Sequence, residues 1–326
     1  MAVQTLRQPA ACELESYLPV AVANLVPTAV LDFDLYLQVG GEKRVVLFRE
    51  RNYPLEQRDL DRLAAQAVLS LYVHVDNAAA YRRYLFDQVV RNVGAEPIKR
   101  YQVLTTATRS AFNAAFRSVG ADSMVHFAGD FGQYLTEIVC SNEVRMFELL
   151  CLMQHDRDTF THCVNVCTCS VLLAKALGNG AQSDLRTVAA GAMMHDVGKR
   201  HLPAFLLKKS GELSERDRAA IRAHPQIGFE ELCLRGDMTW GELMMVYQHH
   251  ERIDGRGYPA RLTGTEICES ARICAIADVY DALRSDRSHH KAWRMEDVRE
   301  YLESASGRHL DGEMVRCWNS VINCKS

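Results

Sequence analysis

The chain has 326 residues, 48% hydrophobic and 24% charged, with a formal net charge of −3 and a pI near 6.5. Those are the proportions of an ordinary globular protein, and the length suggests about two domains. So small a net charge excludes a general field that would gather DNA or an anionic membrane, whereas a small phosphate-bearing ligand needs only a local cluster of charge.

The longest early apolar run, Leu18 to Val30, is interrupted by Asn24 and two prolines and is too short to span a bilayer. No charged-then-apolar signal precedes it, so a cytoplasmic protein without membrane insertion is expected. Val30–Val39 and Lys43–Phe48 read as strands joined at Gly40-Gly41, a hairpin signal. Pro54 opens a helical stretch with Leu60, Leu63 and Ala64 at helical spacing, and Ser70–Val75 reads as another strand. Residues 1–75 are therefore expected to form a small α/β module; its regulatory role is inferred from position, because it holds no glycine-rich phosphate loop and no acidic cluster. From Ala78 to Met153 the pattern is helical, with Tyr81, Tyr84, Leu85 and Val89 on one face, then Met124, Phe127, Phe131, Leu135 and Ile138 on another. Residues 76–150 are expected to be connecting helices that could also pair two chains.

The remaining half, residues 151–326, reads as almost wholly helical. One helix runs from about Thr159 to Leu177 and ends at Gly178-Asn179-Gly180. The next runs from Ser183, a plausible N-cap, to His195. Ser214 with Asp217 resembles a capping arrangement for the helix leading to His224. Arg252–Pro259 reads as a polar loop, and Ile267–Leu283 as a further helix carrying Asp278 and Asp281. The 11 cysteines are odd in number and lack the spacings of a disulfide scaffold, which fits a reducing compartment. Cys163, Cys167 and Cys169 are read as thiols filling a helix interface, since no CxxC pair offers paired metal geometry.

The chain has 12 histidines, and their arrangement is what carries information. His195-Asp196 ends the apolar stretch Gly191–Met194, where two polar side chains without partners would be costly to bury. A metal removes that cost. Lys199, three residues after Asp196, would share their face if the turn continues. A buried Asp–Lys pair with an incidental histidine would explain those three residues, but not His249-His250, which ends a second apolar helix. Imidazole and carboxylate donors without thiolate point to a borderline or hard divalent ion.

Five motifs, His195-Asp196-Val197-Gly198-Lys199, His224-Pro225, His249-His250-Glu251, Asp254–Pro259 and Asp278–Leu283, resemble in order and spacing the HD-GYP subgroup of the HD phosphohydrolase superfamily. The resemblance covers residues 151–326. It implies an all-α bundle holding two or three divalent ions, iron or manganese, and hydrolysis of cyclic di-GMP to linear pGpG and on to GMP in second-messenger signalling. Carried over by motif, His162, His195, Asp196, His224, His249, His250 and Asp278 fall on ligand positions, with Asp196 bridging. Asp158 stands where three-metal members carry a glutamate; its shorter side chain leaves two readings open, a third ion or a solvated charge at a helix start. The resemblance gives Asp196 and Lys199 catalytic parts and Lys199, Gly257, Tyr258 and Arg287 contacts to substrate. The sequence departs from the family after Arg287, where His290 replaces a Lys or Arg that helps hold phosphate. That departure keeps cyclic GMP-AMP open as substrate. A cyclic di-GMP sensor that signals to a partner protein without cutting, and a mononucleotide phosphohydrolase, are the further alternatives.

Overall fold

The computed structural model describes residues 16–39, 44–90, 96–118, 120–141, 146–154, 158–178, 181–207, 209, 211–285 and 291–323. The chain divides into two compact units, Met1–Glu96 with Val103–Ala114, and Pro97–Gln102 with Ala115–Ser326.

In the first unit β1 (Tyr17–Ala21), β2 (Leu35–Val39), β3 (Arg44–Arg49) and β4 (Ser70–His74) form one antiparallel sheet in the order β1-β4-β2-β3. Helix α1 (Gln57–Ala65) lies between β3 and β4 in sequence, and α2 (Ala78–Tyr84) follows β4. The hairpin β2–β3 is the expected one, with Val39 opposite Arg44; its turn, residues 40–43, lies outside the described residues. The strand expected from Val30 starts only at Leu35. Asp32 and Asp34 pair outward with Arg83 and Arg51, while Phe33 between them is buried edge-on to Tyr81 and Tyr84, which bends the chain where a strand would run straight. Strand β1 was not expected. It emerges from the apolar run at Leu18, pairs Val20 with Leu71, and tolerates Pro19 because it is an edge strand.

Helices α3 (Pro97–Ala107) and α4 (Arg109–Arg117) lead to α5 (Asp122–Cys140), whose face Met124, Phe127, Phe131, Leu135 and Ile138 is buried as its spacing predicts. Then come α6 (Met146–Leu152), α7 (Thr159–Ala176), α8 (Gln182–Met194), α9 (Ala204–Leu207), α10 (Glu215–Arg222), α11 (His224–Leu232), α12 (Trp240–Gln248), α13 (Glu269–Arg284), α14 (Met295–Ala305) and α15 (Gly312–Asn323). Helix α8 packs against α5, α7 and α12, and α7 packs in turn against α13 and α15. Buried from Phe160 to Ala174 on almost every side except at His162, α7 is the apolar spine of this unit.

Local signals set the helix ends that matter below. Gly178 takes a left-handed φ of 94° after α7. Ser214 and Asp217 close the expected capping box on α10. Helix α8 differs: it begins at Gln182 with Ala181 at the N-cap, so Ser183 falls inside the first turn and is not the cap. Cys163, Cys167 and Cys169 are buried thiols in the helix interface, Cys167 donating to the Ala189 carbonyl at 3.2 Å, and burial pushes all three well above the ordinary thiol range.

Candidate metal centre

Five helix ends or faces converge on one polar spot in this apolar bundle. The first turn of α7 brings His162, the end of α8 brings His195, and the following turn brings Asp196. His224 opens α11, His249 and His250 end α12, and α13 brings Asp278 from its middle. Gly198 lets the turn after Asp196 lie directly on α11, because a Cβ there would sit 2.0 Å from the His224 carbonyl oxygen.

The donors form two groups, Asp196 with His224, His249 and His250, and His162 with His195 and Asp278, each within 4.8 Å among its own ligand atoms. Asp196 stands between them. Its Oδ2 lies 3.5 Å from His162 Nε2 and 3.4 Å from His195 Nε2, and its Oδ1 lies 3.1 Å from His224 Nε2 and 3.9 Å from His249 Nε2. One oxygen therefore faces each group.

Proton positions follow from the outer partners. His195 Nδ1 meets the Ala192 carbonyl at 2.7 Å, His224 Nδ1 the Ile221 carbonyl at 2.7 Å, and His249 Nδ1 the Met245 carbonyl at 3.0 Å. A carbonyl only accepts, so each Nδ1 carries a proton and Nε2 is the nitrogen turned inward, with its lone pair free in the neutral ring. His224 Nε2 and His249 Nε2 then face each other at 3.2 Å, with Asp196 Oδ1 buried beside them and lacking any hydrogen-bond donor. Converging lone pairs around a buried orphan carboxylate oxygen repel unless a cation lies among them, so the residues fit a metal. The two groups are consistent with a binuclear site.

The charges of the side chains agree with this arrangement. Burial and the neighbouring imidazoles hold His249 and His250 well below the ordinary histidine range, so both rings are neutral at neutral pH. Burial works against ionisation of Asp196, yet Lys199 and His195 keep it well below the usual carboxylate range. Lys199 Nζ lies 2.5 Å from Asp196 Oδ2, as the spacing predicts; burial disfavours its charge, but Asp196 and Asp278 raise its pKa. His162 behaves differently. Burial lowers its pKa, but Asp196, Asp281 and Asp278 outweigh burial and bring it up to about 10. Below that pH the ring is an imidazolium that must lose a proton before Nε2 can bind a metal, so affinity should rise with pH towards about 10. Calorimetric titration of manganese at pH 7.5 in buffers of different ionisation enthalpy should report release of about one proton per chain; no release would contradict this charge state.

Sequence reasoning missed the residues behind the ligands. Asp281 Oδ2 accepts from His162 Nδ1 at 2.7 Å and its Oδ1 accepts from Asn165 Nδ2 at 2.6 Å, fixing that ring. The signal was its position three residues after Asp278, which puts both carboxylates on one face of α13. Asp281→Asn should lower metal affinity by roughly 10–100-fold, read by competition with a chelator, while circular dichroism stays unchanged; unaltered affinity would remove Asp281 from the centre. Glu251 stands in the sequence only as the third residue of the His249-His250-Glu251 motif. It is buried, and its carboxylate accepts from the backbone N–H of Ala260, Arg261 and Leu262 at 2.6, 3.0 and 3.1 Å, gathering the loop that follows His250.

That loop carries Tyr258, whose ring lies over His250 at 4.8 Å with a 31° tilt and whose N–H donates to the His250 carbonyl at 3.2 Å. Gly257 is buried against the backbone of Glu251 and Arg252, where a Cβ would come within 2.5 Å, so glycine is what permits the close approach. Asp158 is the N-cap of α7, accepting from the Thr161 N–H at 3.1 Å and from its hydroxyl at 2.6 Å, and it stands outside both donor groups. Arg287 and His290 fall in residues 286–290, outside the described residues.

The sequence model of the HD domain family matches residues 135–314, more than half of the chain. The chain belongs to the HD domain family. Curated relatives of this HD domain protein include a cyclic di-GMP phosphodiesterase of Pseudomonas aeruginosa, 27% identical over 82% of this chain and 68% of that protein. A cyclic di-GMP phosphodiesterase response regulator of Xanthomonas campestris is 38% identical over 46% of this chain and 39% of its own length. A 3′3′-cGAMP-specific phosphodiesterase of Vibrio cholerae is 37% identical over 51% of this chain and 33% of its own length. The chain thus spans about two fifths and one third of the latter two relatives. A solved HDG"Y"P protein of Bdellovibrio bacteriovorus superposes with a TM-score of 0.65 over 94% of this chain and 99% of that one, at 20% identity, and shares its fold. Among the described residues no helix is long and apolar enough to cross a membrane.

Proposed function

We propose that the chain is a metal-dependent phosphodiesterase that opens cyclic di-GMP to linear pGpG and cuts it further to GMP. The observation that carries this reading is Asp196, one carboxylate turned by its two oxygens towards two separate sets of inward-facing imidazoles. His162, His195 and Asp278 would hold one divalent ion, His224, His249 and His250 the other, with Asp196 shared. Iron or manganese suits a donor set of imidazole and carboxylate without thiolate. When bound, such ions supply Lewis-acid stabilisation of charge on a phosphate and make water nucleophilic at neutral pH.

The chain's own residues do the rest. Lys199 keeps an ammonium beside the shared carboxylate, where it offsets negative charge that grows on the phosphorane oxygens. Tyr258 lies over His250 at the rim of the centre and offers its hydroxyl to a guanine or its phosphate. Arg287 and His290 are further substrate contacts in this reading, and Gly257 lets the loop come close. In it residues 151–326 are catalytic, 1–75 regulatory, and 76–150 a connection through which two chains pair or a partner protein is addressed.

Cyclic di-GMP is preferred because it is the substrate named for two of the three relatives above. The 3′3′-cGAMP reading is kept because the third relative is as similar over a comparable length. Protein purified without oxygen and loaded with iron or manganese should convert cyclic di-GMP to the linear dinucleotide in a competition with 3′3′-cGAMP, products being separated by chromatography. Preferential loss of 3′3′-cGAMP would reverse the substrate assignment.

A further inference from the structure

Beyond Tyr258 the rim of the centre ends in a cation. Arg222, the last residue of α10, is exposed and holds its guanidinium 5.8 Å from the centre of the Tyr258 ring. Its backbone is fixed, because His224 two residues later opens α11 and enters the donor group of Asp196, His249 and His250. Among the described residues no carboxylate pairs with Arg222, although arginines elsewhere on this unit, Arg235, Arg252, Arg272 and Arg294, each hold an aspartate. Outward from the donor cluster, then, the order is His250, the Tyr258 ring stacked on it, and the Arg222 guanidinium beside that ring. An arginine kept beside an aromatic face and left without an anion retains its planar fork of donors for an incoming oxyanion.

We infer that Arg222 binds the phosphate of a cyclic dinucleotide that is not being cut. This rests on the phosphodiesterase reading above. A cyclic dinucleotide carries two phosphodiesters on one ring, so when one reaches the donor groups the other must lie outside them, and the rim beyond Tyr258 offers this fixed cation. Arg222 is thus a determinant of substrate size and charge. It selects diesters that bring a second phosphate.

The test compares Arg222→Gln and Arg222→Lys with the parent full-length chain, all loaded with manganese, on cyclic di-GMP, 3′3′-cGAMP and bis(p-nitrophenyl) phosphate, a diester with no second phosphate. For Arg222→Gln the ratio of kcat/KM for the cyclic dinucleotides to that for the single diester should fall about 10–100-fold, mostly through KM, as expected for a lost charge-assisted pair. The two cyclic dinucleotides should lose equally, and Arg222→Lys should be intermediate. Equal loss on all three substrates would mean that Arg222 only steadies Tyr258, and would overturn the inference. Loss confined to cyclic di-GMP would assign Arg222 to a guanine edge and also overturn it. No turnover of any cyclic dinucleotide by the parent chain, with turnover of the single diester intact, would remove the underlying reading instead.

Discussion

Asp196→Ala should abolish stoichiometric metal binding and phosphodiesterase activity together. This carboxylate turns an oxygen to each donor group, so its loss affects both. The deficit should exceed the roughly hundredfold that removal of an outer partner costs. Asp196→Asn, which keeps the volume but not the charge, separates chemistry from packing: it should retain the helical circular dichroism of the parent and still lose metal, measured by elemental analysis after desalting. Either variant turning over substrate at the parent rate would show that the carboxylate is not part of the reaction.

Glu251→Ala should give the second-largest effect, and here on stability and substrate binding together. Three successive backbone N–H groups converge on the Glu251 carboxylate, and the middle one belongs to Arg261, which holds a left-handed φ of 58° unusual for a residue with a side chain. This is an anion-binding nest whose anion is supplied by the chain itself. Without it, three donors lose a charged acceptor, at about 1–3 kcal/mol each where water does not take its place. A net loss on the order of 3 kcal/mol would lower Tm by roughly 6–12 °C for a unit of this size. Tyr258, carried by the same loop, loses its fixed place over His250, so KM should rise more than kcat falls, and metal content should remain that of the parent. Glu251→Gln, which keeps an acceptor, should lie between the two. A variant that keeps parental Tm and KM would show that the nest does not hold the loop.

What was legible in the sequence and what was not divide along a physical line. Ligand-type side chains at the ends of apolar helices are conspicuous, because burying them alone is costly, and His162, His195, Asp196, His224, His249, His250 and Asp278 do stand together. Lys199 followed from helical spacing. The supporting layer was hidden because its partners are remote or belong to the backbone. Asp281 meets a histidine 119 residues away, and Glu251 meets main-chain N–H groups that leave no trace in residue type. In the first unit the hairpin was read from its glycines, while β1 escaped because Pro19 argues against a strand until its edge position is known. The late start of β2 has a similar cause: alternation continues through Asp32, Phe33 and Asp34, but the partners of Asp32 and Phe33, Arg83 and Tyr81, become visible only in three dimensions.

Whether one carboxylate joins two metal sites is read by electron paramagnetic resonance of the full chain loaded with manganese to two ions per chain. Ions that share the Asp196 carboxylate should give an exchange-coupled spectrum, and this should vanish in Asp196→Asn. Two bound ions giving only the uncoupled hyperfine pattern of isolated manganese would show that Asp196 does not join them.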